Sequence, residues 1–550
     1  MFLRHKRIGK YTYVYLVESV YEDGRTRQHI IRNLGRREDV EAGGDLERLA
    51  ASAARLSRKA LVLSAEARGA APVLGCRRIG PGLVFERLWR ETGCQAVIEQ
   101  QGEGRKFGFA VERAVFLTVL HRLMVSGSDR AADKWRADYA VEGTDGLRLH
   151  QLYRAMAWLG EPLAGEDDTA TSPRCVKHVI EEALFARRRD LFSTLDVVFM
   201  DTTSLYFEGA GGDTLGRRGY SKDHRPDLNQ MVVSVVLDGE GRPICSETWP
   251  GNTADITTLM PIVDRLRERF GIRRVCVVAD RGMISAEVIA ALEGRGLEYI
   301  LGARERTDKL VRTVVLADDA PFVPLALEKR GKTTEYGAKA VEIGKLRYIV
   351  CVNHGQAAKD AADRAAILES LERQLKRGDK ALVGNAGYRR YLKTTGQDRF
   401  AVDHDKVVAD AKFDGVFVLR TNTALDPIQA MLRYKQLWTV EQVFRTTKDI
   451  LGTRPIYHKC DETIRGHVFC SFLALVLKKD LSDRLAADGA KLEWADVLAD
   501  LDRVQEVELA HEGKRVVMRT PLTGTAGKVF QATRVALPPV YREIETAQQT

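Results

Sequence analysis

The stretch DVVFMDTTSLYF, residues 196–207, is where the texture of this chain changes. It is a short run of mostly β-branched or aromatic residues that ends in polar ones, as a buried strand does. NQMVVSVVLD (229–238), the Gly-rich turn DGEGRP (238–243) and ICSETW (244–249) continue it as two antiparallel strands. TLMPIVDRLRERFG (258–271) has helical spacing, RRVCVVAD (273–280) reads as a buried strand, SAEVIAALEGRG (285–296) as a helix, and EYILGA (298–303) as the strand that closes the set. The order is β-β-β-α-β-α-β.

Outward from this core, residues 11–35 alternate with a two-residue period around Glu22-Asp23-Gly24, predicting an N-terminal hairpin within 1–40. Residues 41–192 read as helical, with three-and-four spacing in AVERAVFLTVLHRLM (110–124) and LHQLYRAMAWLG (149–160). Their basic faces are either simply solvated or bind DNA ends. After 303, strand patterns such as RYIVCVN (347–353) and GVFVLRTN (415–422) mix with a charged helix to about 424. IQAMLRYKQLWTVEQVFRTTKDIL (428–451) reads as one long amphipathic helix, N-capped by Asp426 with Pro427 as its first residue. Residues 466–485 form a more apolar, buried helix, and 486–550 alternate helix and hairpin, a region open to dimerisation. The predicted fold is a multidomain α+β/α/β chain: a ribonuclease-H-like mixed sheet in two parts (193–303 and 425–485), a large insertion (304–424) before the long amphipathic helix, and a helical N-terminal region.

Composition supports a soluble globular protein: 45% hydrophobic and 29% charged residues exclude disorder and collagen. With 85 Lys+Arg against 76 Asp+Glu, the +9 charge is a mild bias toward a polyanion partner. Eight scattered cysteines without a CxxC read as reduced thiols, and His458 and Cys460 lack a second pair at metal spacing. With no signal peptide and no apolar run long enough for a membrane, the expected location is the cytoplasm.

Three carboxylates stand out by position. Asp201 closes the first strand of the sheet, Asp280 closes RRVCVVAD, and Glu441 lies in the long helix. Strand ends in one sheet share an edge, and a helix packed beside it adds a third acid; such oxygens suit Mg²⁺. Singly, each is as readily a cap or an exposed acid. Positions 434, 441, 445 and 448 fall along one helical face, placing Tyr434, Glu441, Arg445 and Lys448 together. The loop GYSKDHRPDLNQ (219–230) offers Lys222, His224 and Arg225 beside Asp223 and Asp227, either paired internally or facing DNA.

Read together, DTTSLYF, this loop, ADRGMIS (279–285) and YKQLWTVEQVFRTTK (434–448) resemble a DDE transposase of a bacterial insertion sequence, in the group with a Tyr-Arg-Glu-Lys signature on its last catalytic helix. Tyr434, Glu441 and Lys448 match the signature; its Arg position is Leu437, leaving Arg433 or Arg445 to take that place. The resemblance implies that Asp201, Asp280 and Glu441 hold two Mg²⁺ or Mn²⁺ ions. It further implies metal-dependent cleavage and strand transfer on double-stranded DNA, both terminal repeats and target, by a dimer assembled at the nucleoid. An insertion domain would shape the cleaved end, with Tyr336, Tyr348, Tyr388 and Tyr391 there mostly packing residues. A nuclease of the same fold that does not join ends, and a catalytically silent DNA-binding protein, are the alternatives.

Overall fold

The computed structural model describes residues 2–22, 25–44, 48, 73–165, 172–188, 197–272, 276–283, 285–329, 332–376, 386–396, 399–446, 448, 452–511 and 514–544. At the N-terminus, strands β1 (Phe2–Ile8), β2 (Tyr11–Glu22) and β3 (Arg25–Arg36) form an antiparallel sheet. The β2–β3 hairpin is the expected one, closing at Glu22 opposite Arg25. β1 adds a strand that the basic opening FLRHKRI did not advertise. A short helix, Arg37–Ala42, follows; the first part of the region 41–192 expected to be helical, up to residue 72, falls almost wholly outside the described residues.

Strand β4 (Val73–Arg78) leads into the helices Gly80–Glu91, Cys94–Gly102, Val111–Met124, Asp129–Trp135, Leu149–Leu159 and Val176–Arg188. Their common core is completed from far along the chain by the helix Asp461–Ala487, whose Phe469, Leu473 and Leu477 are fully buried. Two glycines let the backbones approach. A Cβ on Gly466 would lie 1.9 Å from the Met156 carbonyl oxygen, and one on Gly160 would lie 2.0 Å from that of Glu462. The apolar run near 466–485 is therefore the axis of the helical bundle.

The central sheet contains β5 (Val197–Tyr206), β6 (Gln230–Asp238), β7 (Pro243–Pro250), β8 (Cys276–Ala279), β9 (Glu298–Gly302), β10 (Val323–Lys329), β11 (Lys332–Ile343) and β12 (Leu346–Asn353). After the small hairpin of β13 (Leu392–Gly396) and β14 (Arg399–Val402), β15 (Val416–Thr421) returns to it. The order is β10-β11-β12-β15-β9-β8-β5-β6-β7, with β5, β8 and β9 mutually parallel and the other neighbours antiparallel. The expectation that EYILGA closes the set is corrected: β9 would leave an open edge, and β15 satisfies it, pairing Leu419 with Gly302 and Thr421 with Ile300.

Both faces of the sheet are covered over β5–β9, which is why those strands read as nearly continuous apolar runs, whereas the edge strand β10 is largely exposed. Val198, Met200, Val277 and Tyr299 face the helices Asp255–Glu268 and Ala286–Gly294. Phe199, Val235, Val278 and Ile300 face Ala430, Met431, Val440 and Phe444 on the opposite side. Between β12 and β15, the helices His354–Leu375 and His404–Ala411 pack with the small hairpin around Leu371, Tyr391 and Leu392. Tyr336, Tyr348 and Tyr391 are buried, as packing residues are.

The helix expected over 428–451 is corrected to two, Pro427–Lys435 and Trp438–Arg445. Between them the ladder tightens to i→i−3: Leu437 N–H donates to Tyr434 O at 2.9 Å, and Thr439 N–H to Gln436 O at 2.8 Å. Leu437 is buried in the core at this point, so the two halves do not share the phase of a single 3.6-residue helix.

The C-terminal part adds the helix Trp494–Asp502, β16 (Gln505–His511), β17 (Lys514–Arg519), the helix Ala526–Thr533 and β18 (Tyr541–Ile544). Its sheet takes β4 as the strand beside β16. No helix among the described residues is long and apolar enough to cross a membrane.

Candidate active site

Parallel pairing sets the first two acids side by side. Met200 lies opposite Ala279, so the next residues, Asp201 and Asp280, stand at the same level on adjacent strands. The expectation that Asp201 closes its strand is corrected: β8 ends at Ala279, but β5 runs on to Tyr206 because β6 pairs it past Asp201. Asp280 thus opens a crevice outside the carboxyl ends of parallel strands, where open α/β sheets bind their ligands. Asp201 accepts a 2.7 Å hydrogen bond from the Thr202 N–H. Burial pushes its carboxyl up to about 6; Asp280 and Asp255 push the same way, against the opposing pull of Lys222 and the Thr202 amide.

Asp280 is exposed and enters a one-turn 3₁₀ segment, Arg281–Met283. The Tyr434 hydroxyl donates to its Oδ1 at 3.0 Å. Burial, and then the adjacent Asp280 carboxylate, raise the Tyr434 phenol well above its usual range. Gly302 makes room for this contact: a Cβ there would lie 2.5 Å from the Tyr434 hydroxyl oxygen. Arg281 turns away to pair with Glu305 at 3.2 Å.

A fourth acid was missed in the sequence. Asp255 opens the helix Asp255–Glu268 and accepts from Thr202 Oγ1 at 2.6 Å. Lys222 reaches its Oδ2 at 3.0 Å. No spacing in GNTAD announces this; only the packing of the helix against β5 brings Asp255 beside Thr202.

Of the charged groups in the loop 219–230, Arg225 and Asp227 pair within the loop, while Lys222 and Asp223 pair with residues outside it. Lys222 is held as described; the buried Asp223 receives Lys448 and Arg454, each at 2.5 Å. Arg225 pairs with Asp227 at 2.9 Å and lies over the Tyr206 ring at 5.4 Å. His224 is exposed, with a left-handed φ of 56°.

Glu441 follows the buried Val440 and precedes Phe444 by one turn. Its helix covers the face of β5 from which Asp201 projects with Phe199 and Thr203. Glu441 and Arg445 are exposed, and their side chains make no hydrogen bond or ion pair among the described residues. The structure thus joins Tyr434 to Asp280 and Lys448 to Asp223, and it leaves Glu441 and Arg445 free on the surface of their helix.

Donor chemistry at Asp201, Asp280 and Asp255 fits Mg²⁺ or Mn²⁺: hard carboxylate oxygens, one of them, Asp201, raised first by burial and then by its two acidic neighbours. Among the described residues, His458 forms no ligand pair with Cys460 but stands in a second cluster. Ligand atoms of Asp129, His458 and His467 lie within 4.8 Å of one another. Arg122 nevertheless stands 2.8 Å from His467 Nδ1 and also donates to the His467 carbonyl and Ser471, so the group is a buried network tying the bundle together.

Comparison with known families places the chain. Residues 193–477 match the transposase DDE domain, and residues 3–67 match the N-terminal domain of the IS1634 family transposases. No curated protein matches the chain. The DDE match spans more than half of the sequence and includes Asp201, Asp280, the loop 219–230 and Glu441, and the chain belongs to the DDE transposases of bacterial insertion sequences.

Proposed function

We propose that this transposase excises its insertion sequence and joins it to a target by metal-dependent cleavage and strand transfer. In this reading Asp201, Asp280 and Glu441 are the metal ligands on a ribonuclease-H-like core, 193–303 and 425–485, interrupted by the insertion 304–424. Residues 41–192 bind the element's ends, and 486–550 serve dimerisation on DNA. Water attacks the phosphodiester at the element's end, forming a new P–O bond and releasing the element's 3′-hydroxyl. That hydroxyl attacks a target phosphodiester and displaces the target's 3′ oxygen. When bound, two Mg²⁺ or Mn²⁺ ions supply nucleophile activation and neutralise the leaving oxygen.

The chain's own groups do the rest. Tyr434 orients the Asp280 carboxylate through its 3.0 Å hydrogen bond. Lys448, Arg445, His224 and Arg225 supply cationic contacts to phosphates, Lys448 from its place beside Asp223. The observation that carries the reading is the register of β5 and β8, which sets Asp201 and Asp280 level at the crevice.

The test is cleavage and end joining of a labelled duplex carrying the element's end, with and without Mg²⁺, by wild type and Glu441→Gln. Cutting that needs metal and Glu441, followed by 3′-end transfer, supports the proposal. Cutting without transfer indicates the nuclease; tight binding with no cutting indicates the silent DNA-binding protein. Cutting that survives the substitution removes Glu441 from the site.

A further inference from the structure

Lys222 is unusual among the loop's cations because its partners are the groups that surround Asp201. Its ammonium donates to the Thr202 carbonyl at 2.8 Å and Thr202 Oγ1 at 2.7 Å, and it pairs with Asp255 Oδ2 at 3.0 Å. Three acceptors match its three donors. Thr202 Oγ1 accepts from Lys222 and donates its own hydrogen bond to Asp255 Oδ1, so the three groups close a ring.

The loop holds Lys222 there from both sides. Its own N–H donates to Ser204 Oγ at 2.8 Å, and the next residue, Asp223, is clamped by Lys448 and Arg454. At the loop's start, Gly219 packs so closely on residue 251 that an added Cβ would lie 1.9 Å from the Gly251 carbonyl oxygen. The ammonium is therefore aimed by the backbone, beside a cluster in which Asp280 and Asp255 both crowd Asp201 with negative charge.

From this arrangement, and resting on the metal-dependent reading above, we propose that Lys222 is the resident counter-ion of the carboxylate cluster, neutralising it before metal and DNA arrive and competing with the divalent ion for Asp201 and Asp255. The role differs from a plain phosphate contact, since an ammonium engaged with Thr202 and Asp255 is turned toward the acids. Lys222 leaves Asp255 when a divalent cation takes the carboxylates, and its positive charge then becomes available to a DNA phosphate. The same residue thus keeps the acid cluster from self-repulsion in the free protein and sets the threshold for metal loading.

Affinity for Mn²⁺, read from the electron paramagnetic resonance of free Mn²⁺ with the full-length chain and no DNA, tests this without cleavage. A unit charge opposing a divalent ion at about 5 Å is worth about tenfold in binding even under water-like screening. Lys222→Met should therefore bind Mn²⁺ about tenfold more tightly, Lys222→Arg should stay near wild type, and the double variant Asp201→Asn/Asp280→Asn should lose binding. Lys222→Gln repeats the neutralisation should the Met variant fold poorly, with near-ultraviolet circular dichroism as the check. Equal or weaker affinity in folded Lys222→Met and Lys222→Gln, with binding still lost in the double Asp variant, overturns the counter-ion role and leaves the metal reading standing. Mn²⁺ affinity indifferent to the double Asp variant overturns both.

Discussion

Asp201 and Asp280 stand on neighbouring parallel strands, whereas Glu441 stands on a helix laid across them. The two aspartates are placed by a backbone ladder: once Met200 is opposite Ala279, no side-chain packing is needed to set them level. Glu441 is placed by the burial of Leu437, Val440 and Phe444 and by a tightened turn in front of it. Contacts follow the same division. Asp280 has Tyr434 and Asp201 has the Thr202 amide, while the Glu441 side chain has neither hydrogen bond nor ion pair among the described residues. A sheet can pre-form the acidic pair; the third acid depends on how the helix docks.

The sharpest way to test that contrast is to neutralise each side. Asp201→Asn and Asp280→Asn should each lower cleavage of a labelled element end by about 10³-fold or more in Mg²⁺, with end binding retained in a mobility-shift assay. Glu441→Gln should lower cleavage comparably, yet leave the free energy of denaturant unfolding within about 0.5 kcal/mol of wild type, because an exposed, unpartnered acid is not part of the packing.

Attacking the docking of the helix comes next. Leu437, three residues after Tyr434, is a core residue. Leu437→Arg should therefore destabilise the chain by about 3 kcal/mol or more, measured by urea unfolding. A stable Leu437→Arg variant would show that the tight turn can rotate this position outward.

Proton competition probes the sheet side alone. The Asp201 carboxyl titrates near 6, raised from 3.8 chiefly by burial. Mn²⁺ affinity should thus fall as pH drops through 6, by about tenfold per unit below it. The sign for stability is opposite to that of a salt-bridged acid: the metal-free fold loses stability as pH rises from about 4 through 6, where Asp201 must ionise beside Asp280 and Asp255. A flat affinity profile between pH 5 and 7 contradicts this. The smallest effect is expected where sheet and helix touch: Tyr434→Phe should lower cleavage about tenfold by releasing Asp280, the loss of about one hydrogen bond.

Much of the catalytic sheet was legible because each strand and helix carries its own pattern. Burial on both faces wrote β5, β6 and β8 as apolar runs, and three-and-four spacing wrote the helices of the bundle. Other features depend on residues far apart in the chain. Asp255 meets Thr202 across 53 positions and Lys448 meets Asp223 across 225. β15 joins β9 only after the excursion through β10–β14, and His467 meets Arg122 across 345 positions. The break at 436–437 escaped notice for a related reason: nothing in KQLW marks a turn, and Leu437 is drawn inward by a core assembled from other segments.

The sequence by itself determined the order of strands and helices in the core and put Asp201 and Asp280 where two apolar runs give way to polar residues. Local dihedral preference and the periodicity of burial act within one element, so they survive in a linear reading. Tertiary structure alone decided that Asp255 and Lys222 share the ground beside Asp201, that Tyr434 reaches Asp280 over Gly302, and that the sheet runs on through β15 and β12. These are meetings between elements, set by which faces pack and in what register, and no single element encodes them.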